Sequence, residues 1–354
     1  MTGGPSGPEV CIGTPNIHGP PVRIGRHDTR GNETMTTLTR RAALAGLGTL
    51  LAAPAVAQQR TVRALLGWPP GGSSDIVCRT FAERLRGPLG ANVVVENRPG
   101  AGGRIALQGM RGQPADGSLY VQTPSSMLTI YPHLYRNLGY DPVADFVPVT
   151  TVCAFAFAWT VRADHPAKTL AEFIAWARQR GQVDWASPSP GTMPHFLGVE
   201  FARMTGLSLN HVPYRGGAPV ITDVLAGVIT AGMNVLSEPV PFHLDGKMRI
   251  LAISAPARSP RLPDVPTFAE AGFPQLTKQE WFGVLLPAGA APGVVQPLHG
   301  ALLAAAGTPE VQELLTRLEF TPDTMQPAAF AERIRREREE WGPIVAASGF
   351  RPEE

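Results

Sequence analysis

Two stretches of this sequence combine glycine, proline and hydroxyl residues in an order that can hold an anion. The first, WPPGGSSDI (Trp68 to Ile76), follows the apolar run TVRALLG and precedes a helical pattern. The second, SPSPGTMPHF (Ser187 to Phe196), ends the strand-like VDWAS and also precedes a helical pattern. A strand, a glycine turn and a helix start leave the first helical amides without internal acceptors, and the helix dipole adds about half a positive charge there. Gly71 and Gly72 let a ligand approach the backbone. Ser73 or Ser74 would cap the helix or donate to the ligand. Asp75 is expected to cap, or to accept from an ammonium or hydroxyl, in preference to meeting a carboxylate. In the second stretch Gly191 turns, Thr192 is a suitable N-cap, and Pro194 sits in the first turn, where a missing N–H does no harm. His195 lies on that turn; packing or capping is its expected role, with ligand contact as the alternative. Two such helix starts on separate lobes would bind both ends of a dicarboxylate, or one carboxylate from two sides.

Other candidates lie nearby. Trp68 would form an apolar wall. Ser125 and Ser126, in TPSSM, follow a strand at the edge where open α/β sheets bind ligands. NRPGAGGR is a third glycine turn, with Arg98 and Arg104, and reads as a packing turn. Neither anion stretch is a P-loop, because no Gly-Lys-Ser/Thr follows, and no G-x-G-x-x-G dinucleotide fingerprint occurs. G-x-S-x-G and HExxH are missing, and His195 and His211 fall on different elements. No catalytic residue, metal site or cofactor is therefore expected.

The elements that must position these residues alternate. Strands are expected at 61–67, 92–97 and 118–124, with a helix at about 75–86 whose Val77, Phe81 and Leu85 form one apolar face. This is the start of a parallel sheet covered by helices. Residues 146–165 are β-rich and too long for one ordinary strand, so they should cross between lobes. Further alternation follows to residue 255. A second extended run, 280–289, is the candidate return, and helices at 291–306, 309–318 and 327–347 should pack back on the first lobe. The predicted architecture is a hinged clamshell: lobe one is 58–160 plus 284–354, and lobe two is 161–283.

At 354 residues and 44% hydrophobic the chain can build a large core. A net charge of +2 and 17% charged residues argue against nucleic acid. Residues 1–34 show no hydrophobic period and are expected to be a non-native extension, with Met35 as the true start. From Met35 to Ala57, Arg40-Arg41, a short apolar run and the small-residue motif AVA make an export signal, equally of the Sec or the twin-arginine kind. The mature chain should therefore be periplasmic. Of three cysteines, Cys11 precedes the signal. Cys78 and Cys153 read as two buried thiols, with a single disulfide left open.

The segments PPGGSSDIVCR, VVVENRPGAGG, YDPVADFVPVT, HVPYRGGAPVITDVLAG, GKMRILAISAPARSPRLPDVPTFAEAGF and, before PAG, Trp281 and Gly283 occur in that order. Together they resemble the Bug (TctC-like) periplasmic solute-binding proteins of tripartite tricarboxylate transport systems. The resemblance implies an α/β chain of type II periplasmic-binding-protein fold, with two α/β lobes joined by two crossing strands. It implies binding of a small carboxylate, without chemistry and without a cofactor, by a monomer. Its partners would be membrane transporter subunits or, alternatively, a sensor ectodomain; an exported enzyme acting on a carboxylate is the remaining alternative. Carried onto this sequence, the ligand-binding residues would be Trp68, Gly71, Gly72, Ser73 and Asp75, with Ser125 and Ser126, in lobe one. Gly191, Thr192, His195 and Asn234 would serve lobe two. Cys78 departs from the alanine usual in the family, and Met193 and Pro194 alter the lobe-two turn at the mouth of the site.

Overall fold

Strand β1 (Thr61–Leu66) pairs in parallel with β2 (Asn92–Asn97) on one side and with β3 (Leu119–Pro124) on the other. Between β1 and β2 runs helix α1 (Ser73–Leu89), whose Val77, Phe81 and Leu85 are buried at a spacing of four. Gly90 ends it in the left-handed conformation, φ 55°, that a side chain would disfavour. The computed structural model describes residues 60–351; the expected extension, the export signal and Cys11 lie outside them.

The first sheet has the order β2-β1-β3-β10-β4-β11, where β4 is Phe146–Phe155, β10 Glu280–Pro287 and β11 Phe320–Pro322. The second has the order β7-β6-β8-β5-β9: β5 Phe157–Arg162, β6 Val183–Ser187, β7 Leu209–Pro213, β8 Ala231–Val235 and β9 Met248–Ile253. Apart from the added edge strand β11, the two orders are the same once relabelled. In each, three parallel strands are joined by an antiparallel strand that has just arrived from the other lobe. That strand is β10 beside β3 in the first sheet and β5 beside β8 in the second. β3 and β10 are buried along their whole lengths.

The lobes change at Ala156, between β4 and β5, where the sequence pattern predicts the change after residue 160. Phe157 to Val161 already pair with β8, and Glu280 to Gly283 already pair with β4 of the first sheet. An unbroken β pattern carries no mark of the sheet to which each residue belongs, so the crossing point is invisible in it.

The remaining helices are α2 (Arg104–Gln108), α3 (Ser126–Thr129), α4 (Tyr131–Leu134), α5 (Leu170–Arg180), α6 (Met193–Thr205), α7 (Gly217–Ala226), α8 (Val240–Leu244), α9 (Pro292–Ala306), α10 (Pro309–Arg317) and α11 (Pro327–Ser348). α9 packs on α1 and β4. α11 packs on β4 and α3 but also touches α6 of the second lobe, with Trp341 5.9 Å from Phe196 between ring centroids. The C-terminal segment thus bridges both lobes, where the sequence predicts a return to the first alone. Trp341 and Phe350 give it an aromatic face, and the aromatic start of α6 completes the burial. Cys78 and Cys153 are separate buried thiols, and burial pushes Cys78 up to about 12.

Candidate functional site

The chain leaves β1 through Gly67, which lies against the Gly103 backbone so closely that a Cβ would fall 2.7 Å from the Gly103 carbonyl oxygen. Trp68 and two prolines then carry it outward to Gly71, whose φ of +86° suits only glycine without strain. Asp75 holds this loop from inside the helix. Its Oδ2 accepts from the Gly71 N–H at 3.0 Å and Arg79 Nε at 2.9 Å, and its Oδ1 from Asn97 Nδ2 at 2.9 Å. Asn97 also donates to the Trp68 carbonyl at 3.0 Å. Burial raises the Asp75 pKa, but the bonds from Arg79, Gly71 and Asn97 outweigh it, so the carboxyl ionises below its usual range. Asp75 is thus a buried brace at 4% exposure, placed off the cleft. It consumes the Gly71 amide. The first-turn amides of Ser73 and Ser74 have no acceptor within the helix.

In lobe two the helix start at Gly191 has its Gly191 and Met193 amides taken up within the protein. Gly191 has φ +77°, and its N–H donates to His195 Nδ1 at 3.1 Å. A Cβ on Gly191 would fall 2.8 Å from Leu134 of the other lobe. The Met193 N–H donates to Ser126 Oγ at 3.0 Å, again across the lobes. His195 is 2% exposed and lies among Trp185, His211, Phe196 and Phe350. Burial, then the neighbouring His211, lowers its pKa to about 3, so it is a neutral core acceptor. Thr192 donates its hydroxyl to the Ser189 carbonyl at 2.7 Å, and it reaches the cleft with Pro194.

The open space is a cleft of about 960 Å³ between the two sheets. Of the residues expected from sequence, Trp68, Gly71, Gly72, Ser73 and Thr192 line it; Asp75, Ser125, Ser126, Gly191, His195 and Asn234 do not. Ser125 and Ser126 are fully buried and face Glu280. Glu280 Oε1 accepts from Ser126 N at 2.8 Å, Ser126 Oγ at 2.5 Å and Ser125 Oγ at 3.3 Å. Asn234 is buried behind the wall and donates to the Gly217 carbonyl at 3.2 Å and to Glu238 Oε2 at 2.9 Å.

Three features of the cleft go beyond the sequence reading, which named Ser74 but not α7, the two glutamates or Ser237. The lobe-two helix start that faces it is α7, through Arg215, Gly216, Gly217, Ala218 and Pro219. Its signal was present, since RGGAP is also a glycine turn with a proline in the first helical turn. Two glutamates line the cleft: Glu280 from the start of β10, and Glu238 from the loop after β8. Burial pushes each up to about 7. Finally, the hydroxyls of Ser74 and Ser237, one per lobe, have no partner among the described residues although both line the cleft. Most of the wall is apolar, from Trp68, Phe155, Phe157, Phe242 and Phe282.

Two sheets that exchange their antiparallel strands, with an open cleft between them, define a two-lobed solute-binding protein of type II fold. Over residues 77–350 the sequence matches the family described as "Tripartite tricarboxylate transporter family receptor". The chain belongs to that family. It is 31% identical over 292 residues to protein BugT of Bordetella pertussis, across 82% of this chain and 90% of BugT. Among solved structures it is similar to an R. palustris protein with adipate, at a TM-score of 0.79 and 29% identity over 83% of this chain and 99% of that one. It is also similar to MatC from Rhodopseudomonas palustris with bound malate, at 0.74 and 26%, covering 81% and 99%. The family is described as a receptor, and the two solved relatives hold adipate and malate.

Proposed function

We propose that the chain is an exported receptor that captures a small organic acid in the cleft between its lobes and delivers it to membrane subunits of a tripartite tricarboxylate-type uptake system. The first turn of α1 holds the ligand carboxylate, with the Ser73 and Ser74 amides as donors and the Ser74 hydroxyl beside them. The observation that carries this reading is the start of a 17-residue helix on the wall of the cleft, with an unpartnered buried hydroxyl in its first turn. Asp75 fixes that turn in advance, so binding need not order the loop. The start of α7 closes the opposite side. The adipate and malate held by two relatives support an organic acid as the ligand class. The export signal at 35–57 supports the periplasm as the site of capture.

The test is a thermal-shift series with mono-, di- and tricarboxylic acids, followed by calorimetry on those that respond. A ligand that binds only the folded chain must raise its Tm. At least one acid should do so, and a flat response to every acid contradicts the reading.

A further inference from the structure

The acid-binding reading leaves two cleft carboxyls unexplained. Glu280, on lobe one, is 4% exposed and has three protein donors on Oε1, but its Oε2 meets no donor among the described residues. Glu238, on lobe two, has Asn234 on Oε2 and none on Oε1. No arginine or lysine pairs with either one among the described residues. Arg215 is the sole basic residue on the cleft wall among them, and it forms no ion pair with either carboxyl.

A buried carboxyl without a cation is costly unless something supplies positive charge or donors. Here two carboxyls without a cation, Glu280 buried and Glu238 half-buried, one per lobe, face the same apolar cleft. A simple dicarboxylate would bring a second negative charge towards both. A primary ammonium carries three donors and no acceptor, and can serve the free oxygens of the glutamates and a hydroxyl such as that of Ser237. The aromatic walls would take an apolar body between the two charged ends.

Building on the acid-binding reading, we infer that the ligand of this cleft is a zwitterion, an amino acid or amino-substituted organic acid. Its carboxylate lies on the first turn of α1, and its ammonium is bound by Glu280 and Glu238.

The test compares matched ligands by calorimetry on the full chain at pH 8: α-, β- and ω-amino acids against the same acids lacking the amine, such as phenylalanine against 3-phenylpropionate and 6-aminohexanoate against hexanoate and adipate. The amine-bearing member of at least one set should bind tenfold or more tightly than its partner. Glu280→Gln and Glu238→Gln, which keep an acceptor oxygen for Ser126 and Asn234, should each narrow that gap about tenfold. Desamino acids or adipate binding as tightly as the amines would overturn the inference and leave the organic-acid reading standing. So would a gap unchanged in both folded variants. Binding by no member of any set overturns both. The wild-type comparison decides even if a variant fails to fold.

Discussion

Met193, at the first turn of α6 in lobe two, donates its main-chain N–H to the Ser126 hydroxyl of lobe one at 3.0 Å. Ser126 in turn donates to Glu280. A helix start with a strong anion-site signature is therefore satisfied from within the protein, through a hydroxyl that leads to an internal carboxyl. That leaves the start of α1, with the Ser73 and Ser74 amides, as the proposed anion site.

Ser126→Ala would strand the Met193 amide and remove one donor from Glu280. Leaving such a buried group unpaired costs about 1–3 kcal/mol. Urea denaturation should show a loss of that size. A change within about 0.5 kcal/mol, as expected for an inert surface site, would mean that the link across the lobes is not maintained in solution.

Asp75→Ala removes the acceptor of Gly71, Arg79 and Asn97 together. The loop before α1 should loosen, with a stability loss of about 2 kcal/mol, in the range for an unsatisfied buried network. Acid binding should weaken at least tenfold by calorimetry, although Asp75 does not line the cleft. Unchanged affinity in the folded variant would show that the loop is ordered without its brace.

Glu238 and Glu280 take up protons near pH 7 in the folded chain and near 4.5 when unfolded. Their contribution to stability is complete below about 4.5 and is lost as the pH rises through 7. His195 and His211 act in the opposite sense, with folded values of about 3 and about 4 against 6.5. Their contribution is complete above 6.5 and is lost as the pH falls towards 4. In the ligand-free chain the Tm of a Glu238→Gln, Glu280→Gln double variant, relative to wild type, should therefore climb between pH 4.5 and 7.5. A constant offset across that range contradicts the assigned titrations.

A Cβ on Gly198, within α6, would lie 2.0 Å from the Trp185 ring, and the ring is fully buried. Gly198→Ala overpacks that contact and should cost about 1–3 kcal/mol despite the better helix propensity of alanine. Denaturant midpoints test this. A stabilised variant would mean that helix and strand separate more easily than their packing indicates.

Much of the architecture is legible because the chain punctuates itself. β2 falls on NVVVEN and β6 within VDWAS, and Gly90, Gly206 and Gly227 each end a helix in the left-handed region. Short elements such as α3, α4 and α8 are not legible, since four or five residues carry too little periodicity. The site was readable in kind and misplaced in part. Gly71 and Gly191 have the same local grammar, and only tertiary packing determines that Leu134 and Ser126 close one of them. RGGAP carries that grammar too, yet nothing local marks α7 as the helix start that faces the cleft. Glu238 and Glu280 stand in unremarkable runs, and their importance arises only when β8 and β10 bring them to one cavity from different sheets.

The central claim is that the first turn of α1 is the anion site. A crystal structure of the chain with its tightest-binding acid tests it most directly. The account predicts carboxylate oxygens within about 2.7–3.2 Å of the Ser73 and Ser74 amide nitrogens. A carboxylate bound elsewhere, with no ligand atom touching those two amides, would contradict it.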